Sequence, residues 1–169
     1  MKTYLIADTH FGHEAVIRYE SRPFPNSNDM DSALIGNWNR KVSSHDKIFV
    51  LGDFSFHNAE NTKAIVKKLR GYKILVMGNH DTGHSAKWWL EAGFDEVCKY
   101  PIILDEFWIL SHEPLYVNAH MPYANIFGHV HNRPEFKDLS QQTFCVSVER
   151  IGYAPIDFEE VKLKITEAS

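Results

Sequence analysis

Five short polar blocks carry the residues that can do chemistry: Asp8-Thr9-His10, Gly52-Asp53, Gly78-Asn79-His80-Asp81, Ser111-His112 and Gly128-His129-Val130-His131. Asp and Asn offer oxygen, and His offers imidazole nitrogen. A mixed oxygen and nitrogen set suits Mn²⁺, Fe²⁺ or Zn²⁺ and lacks the thiolates of a structural zinc site. Asp8, His10, Asp53, Asn79, His112, His129 and His131 make seven potential ligands, too many for one ion and about right for two. His129 and His131 are two apart, so an extended segment turns both to one face. A pair of ions about 3.5–4 Å apart is then approachable from one side. Taken singly, most of these blocks read as ordinary polar turns. Taken together, each after an apolar run, they point to one shared centre.

The elements that must position them follow from the apolar pattern. Tyr4, Leu5, Ile6 and Ala7 read as a buried strand, as do Ile48 to Leu51 and Ile74 to Met77. Residues 29–42 read as a helix, with Met30, Leu34, Trp38 and Val42 four apart on one stripe. Residues 58–70 read as a second helix closed by Gly71 as a C′ residue, and 85–92 as a third closed by Gly93. Continuous apolar strands alternating with helices argue for a parallel sheet with right-handed crossovers. Parallel strands present their carboxyl ends along one edge, where ligands bind. The second half is richer in strands. Ile102 to Leu104 and Phe107 to Leu110 flank Asp105-Glu106 as a hairpin, and Asn125 to Phe127 and Phe144 to Val148 follow. Residues 155–165 admit a helix and then a strand. Glycines before Asp53, Asn79 and His129 permit close backbone approach.

The chain of 169 residues suits one domain, 1–169, with a real core. Apolar residues at 44% and charged residues at 24% are ordinary globular values, and the net charge of −4 gives no extended nucleic-acid surface. Cys98 and Cys145 fit no disulfide framework and no zinc ribbon. The first apolar stretch is too short for a signal peptide, and no segment approaches a membrane span, so a cytoplasmic location is expected.

All five blocks, in this order, resemble the calcineurin-like metallophosphoesterases, and the resemblance covers residues 3 to about 150. The opening Asp8-Thr9-His10-Phe11-Gly12-His13 and the later Arg22-Pro23-Phe24 are similar to short bacterial or phage-type members without a cap domain. One departure is Ser111-His112, where many members have Gly-His. The resemblance implies an α/β fold, an αββα sandwich of two mixed β-sheets flanked by helices. It implies two divalent ions (Mn, Fe, Zn or Ni), one held by Asp8, His10 and His131, the other by Asn79, His112 and His129, with Asp53 bridging both. His80 would stand beside the cage as general acid or phosphate contact. His13, Arg22 and His57 lie near the cage motifs and are taken as candidate substrate contacts, while His45, His84 and His120 read as surface residues. The activity implied is hydrolysis of a small phosphate ester, a phosphodiester before a phosphomonoester, by metal-activated hydroxide. The rival readings are a non-catalytic scaffold of the same fold, which would be supported by missing ligands, and a nuclease, which would need a basic groove.

Overall fold

The structure is a computed structural model that describes residues 1–136 and 142–167. The first half alternates as the apolar pattern requires: β1 (Thr3–Ile6), α1 (Glu14–Tyr19), α2 (Ser27–Lys41), β2 (Lys47–Val50), α3 (Ala59–Lys68), β3 (Tyr72–Val76), α4 (Ala86–Ala92) and β4 (Glu96–Cys98). The second half gives β5 (Ile102–Leu104), β6 (Trp108–Leu110), β7 (Ala124–Phe127), β8 (Thr143–Cys145), β9 (Ile156–Asp157) and α5 (Phe158–Glu167). Side chains of Asn26, Asn58 and Ser85 cap α2, α3 and α4 by accepting from backbone N–H groups three residues on.

Two mixed sheets result, in the orders β4-β3-β2-β1-β9 and β5-β6-β7-β8. β1 to β4 are parallel, and β9 closes one edge antiparallel to β1. In the second sheet β5 and β6 form the antiparallel hairpin, turning at Asp105 and Glu106 (φ 51° and 57°), and β6, β7 and β8 run parallel. Strand alternation sorts the core into two layers. Tyr4, Ile6, Ile48, Val50 and Leu75 meet Met30, Leu34 and Trp38 of α2, Ile65 and Val66 of α3 and Trp89 of α4. Leu5, Phe49, Leu51, Ile74 and Val76 face Leu110, Ile126 and Val146 between the sheets, with Phe158, Val161 and Ile165 of α5.

Three local expectations are corrected. Phe144 to Val148 is not one strand: β8 stops at Cys145, and the chain crosses to the first sheet, where Val146 O accepts from Ala7 N (3.0 Å) and Val148 N donates to Ala7 O (3.1 Å). Residues 155–165 form a two-residue strand and then a helix, the reverse of the order read from pattern. Gly71 does not close α3, which ends three residues earlier at Lys68; it turns the chain into β3 at φ +92°. β4 was not foreseen, because three residues starting with Glu96 carry no periodicity.

Candidate metal centre

Each polar block sits at the carboxyl end of a strand. Asp8 and His10 follow β1, Asp53 follows β2, and Asn79 and His80 follow β3. His112 follows β6, and His129 and His131 follow β7. The bond pair at Ala7 joins the two sheets one residue before Asp8, and Gly128 N donates to His112 O (2.9 Å). Both sheets therefore end at one place. Gly52 is required there. It sits at φ +82°, and a Cβ would lie 2.3 Å from His112 Nδ1 and 2.6 Å from Gly78 Cα.

Two clusters form. The ligand atoms of Asp8, His10 and His131 lie within 4.8 Å of one another, as do those of Asp53, His112 and His129. In the second cluster Asn79 Oδ1 is 2.9 Å from His112 Nε2 and 3.1 Å from His129 Nδ1, and those two nitrogens are 3.1 Å apart. His112 Nδ1 donates to Leu51 O (2.8 Å), so Nε2 turns its lone pair inward. Three acceptor-capable atoms with edges near 3 Å repel unless a cation or a proton stands between them. Ligands about 2.1 Å from an ion and adjacent on an octahedron are about 3.0 Å apart, against about 3.4 Å on a tetrahedron. The observed edges match the octahedral face.

The first cluster gives independent signs. Asp8 Oδ1 and His10 Nε2 are buried with no hydrogen-bond partner, a costly condition that a cation between them relieves. Asp8 Oδ2 is satisfied by His129 N (2.9 Å) and Ser147 Oγ (2.5 Å), which leaves Oδ1 for the centre. His131 Nδ1 lies 3.0 Å from Glu149 Oε1, and His10 Nδ1 lies 3.0 Å from His13 Nδ1. Histidines held by one ring nitrogen with the other aimed inward are the usual arrangement around a metal. Asp53 Oδ2 stands between the clusters, 3.5 Å from both His10 Nε2 and His112 Nε2. The residues present fit two divalent ions.

The electrostatics agree. Burial works to raise the Asp53 carboxyl, but His10 and His112 outweigh it and hold Asp53 well below the usual carboxylate range. Burial pushes Asp8 up to about 6 against the pull of His131 and His112. Burial drops His10 to about 4, so it is a neutral imidazole. For His112 burial acts downward, yet Asp53 and Asp8 raise it to about 9. His131 is likewise raised, with Glu149 and Asp8 overcoming burial. The two carboxylates thus draw positive charge into the cage.

The remaining candidate residues separate. His80 donates its backbone N–H to Asp53 Oδ1 (3.0 Å), while its imidazole, half exposed, stands 3.9 Å from Asp53 Oδ2. His13 is beside the cage but is engaged with His10, and both rings lie under Phe56, with centroids 4.0 and 4.9 Å away at 14° and 13°. Two expectations of substrate contact are corrected. Arg22 is fully buried and donates to Asp8 O (2.7 Å), Thr9 O (3.0 Å) and Glu149 Oε1, so its guanidinium has no face left for substrate. His57 pairs with Asp31 (2.7 Å) and packs over Gly12 in a cavity between α2 and α3. Sequence reasoning missed Glu149, Ser147 and Phe56, and passed over Asp81. Buried Asp81 gathers the N–H groups of Asp53 (2.7 Å), Phe54 (3.1 Å) and Gly78 (2.8 Å), tying the β2 and β3 loops together. Its position directly after Asn79-His80 was the available signal.

The calcineurin-like phosphoesterase family model matches residues 1–152. The chain belongs to that family, a class of metal-dependent phosphoester hydrolases that typically use a dinuclear divalent centre. It is similar to the uncharacterized protein MJ1445 of Methanocaldococcus jannaschii, 32% identical over 94% of this chain and 88% of that one. It is also similar to the crystal structure of AQ665 from Aquifex aeolicus, a protein of unknown function. That match has a TM-score of 0.75 and 28% identity, over 96% of this chain and 98% of that chain.

Proposed function

We propose that this protein hydrolyses phosphodiesters, small nucleotides among them, at a centre of two divalent ions. Asp8, His10 and His131 would hold one ion and Asn79, His112 and His129 the other, with Asp53 shared between them. The observation that carries the reading is the near-equilateral contact of Asn79 Oδ1, His112 Nε2 and His129 Nδ1 beside the partnerless Asp8 Oδ1 and His10 Nε2. When bound, the ions supply water activation and charge stabilisation at phosphorus. The chain's own residues do the rest. Leu51 O, Glu149 and His13 orient His112, His131 and His10. His80, with its backbone fixed by Asp53 and its ring on the open side, delivers a proton to the departing oxygen.

Charge favours a phosphate anion. Two divalent ions beside the carboxylates of Asp8 and Asp53 would leave a net positive site that attracts one. The partner is a small phosphate ester rather than a long nucleic acid, in keeping with the net charge of −4. Free Cys98 and Cys145 suit a reducing, cytoplasmic setting; no helix among the described residues is long and apolar enough to cross a membrane. The test is turnover by the Mn²⁺-reconstituted protein of bis(p-nitrophenyl) phosphate against p-nitrophenyl phosphate. The diester should have the higher kcat/KM. A monoester preference makes the protein a phosphomonoesterase, and no turnover of either with both ions bound makes it a scaffold.

A further inference from the structure

The metal centre uses the carboxyl ends of β1, β2 and β3, but the parallel sheet has a fourth strand with the same polarity. β4 pairs with β3 through Val76 and Cys98, so the next residues of each chain, Met77 and Lys99-Tyr100, emerge side by side at the edge where Asn79 and His80 stand. Between them lies a cavity of about 480 Å³ lined by Met77, Thr82, His84, Ser85, Lys99 and Tyr100. Its wall at Thr82 is continuous with the cage loop, since Thr82 Oγ1 donates to Asn79 O (2.7 Å).

The lining has a definite chemistry. His84 is stacked flat on Trp88 (centroids 3.8 Å apart, 7° between planes), which fixes the imidazole as a planar wall. Tyr100, a residue 77% exposed, supplies a phenol ring. Lys99 is exposed and has no charged partner among the described residues. Ser85 and Thr82 add polar groups at the rim. Two aromatic surfaces and an unpaired ammonium suit a flat ring that carries an anion. Thr82 in its wall lies two residues after His80, the residue proposed above to protonate the leaving oxygen.

We propose that this cleft is the leaving-group subsite, and that it takes a nucleoside phosphate: the base against Tyr100 and His84, and its own phosphate on Lys99. The assignment rests on the phosphoesterase reading of the metal centre and narrows the substrate to a diester whose leaving half is itself a nucleotide.

The test measures binding, apart from turnover. The metal-loaded protein is held in excess inorganic phosphate, so that the ions are occupied, and titrated with adenosine 5′-monophosphate and with adenosine, followed by NMR. The nucleotide should still bind the wild type. Lys99→Ala should weaken the nucleotide about tenfold and leave adenosine unchanged. Tyr100→Ala should weaken both about tenfold, in the range for loss of one base–aromatic stack, and Tyr100→Phe should restore them. Both residues are exposed, so these variants keep the fold. Nucleotide binding that vanishes in excess phosphate, or is the same in every variant, overturns the subsite. Turnover of bis(p-nitrophenyl) phosphate by the metal-loaded wild type in phosphate-free buffer separates the two readings. Turnover without nucleotide binding removes the subsite alone, and no turnover removes the phosphoesterase reading on which it stands.

Discussion

Replacing Arg22 with Ala should cost the fold, not substrate affinity. The Arg22 side chain is 0% exposed and that of Glu149 is 3% exposed. The guanidinium is the charged partner of Glu149 and also donates to two backbone carbonyls, Asp8 O and Thr9 O. Deleting one member of a buried ion pair strands the other, at a cost of about 3–5 kcal/mol. For a chain of this length each kcal/mol lowers Tm by about 2–4 °C, so the expected drop is roughly 6–20 °C. Arg22→Lys should recover little, because one ammonium cannot reach both carbonyls and the carboxylate with a rigid fork. The same substitution frees the Asp8 turn and the Glu149–His131 contact together, so the ion held by Asp8, His10 and His131 should be lost first. Thermal melts by circular dichroism, with elemental analysis of the reconstituted variant, read both effects. A Tm within about 2 °C of the wild type, with full metal content and only KM raised, would mean that Arg22 acts on substrate and that its buried network is energetically idle.

Three further outcomes follow from the cage. Asp53→Asn should weaken both ions, since Asp53 Oδ2 faces both clusters, whereas His131→Ala should weaken chiefly one; equal and mild losses by elemental analysis would contradict the bridge. His80→Ala should keep both ions and lose about 10²–10⁴-fold in kcat, less for a nitrophenolate that leaves without a proton, and a uniform loss across leaving groups would make His80 a phosphate contact instead. Metal affinity should rise with pH. Asp53 and Asp8, against burial, hold His112 up to about 9 in the metal-free cage, so below that an ion must displace its proton, at about tenfold in affinity per pH unit. The sign for stability is opposite. The protonated His112 stabilises the metal-free fold below its ordinary pKa, and that contribution is lost as pH rises through about 9. Affinities that are flat between about pH 6 and 9 would contradict both.

The convergence of the candidate cage blocks was legible because each is short, polar and placed directly after an apolar run, so strand polarity alone brings Asp8, Asp53 and Asn79 to one edge. The helices were legible through their stripes and caps, as in Met30, Leu34 and Trp38 of α2. What pattern could not supply was the partner of each side chain. Arg22 and a substrate-binding arginine look alike in sequence; only the fold places Glu149, 127 residues away, against it. His57 was misread because nearness to Asp53 in the chain says nothing of the turn that carries it to Asp31. β4 and the crossing of residues 146–148 to the other sheet depend on neighbours rather than on period, and Lys99 and Tyr100 acquire meaning only once β4 is known to run parallel to β3.

The backbone of the cage explains why so much of the surrounding chain is committed to holding it. Asp8, His10, Asp53, His129 and His131 all lie in the left-handed region, at φ of 57°, 50°, 52°, 68° and 48°. Each costs about 1–2 kcal/mol relative to the ordinary regions for a residue with a Cβ. Five of the seven candidate ligands adopt that conformation. The opposing contributions are identifiable: Asp81 gathers three N–H groups beneath the Asp53 turn, Arg22 holds the carbonyls of Asp8 and Thr9, and Asp8 accepts from His129 N and Ser147. These bonds are made by the protein alone, so the turns are set before any ion arrives. Inside the cage the protein alone leaves Asp8 Oδ1 and His10 Nε2 without partners. The strain is thus offset outside the centre and the electrostatic deficit is concentrated within it, where a divalent ion gains most by binding.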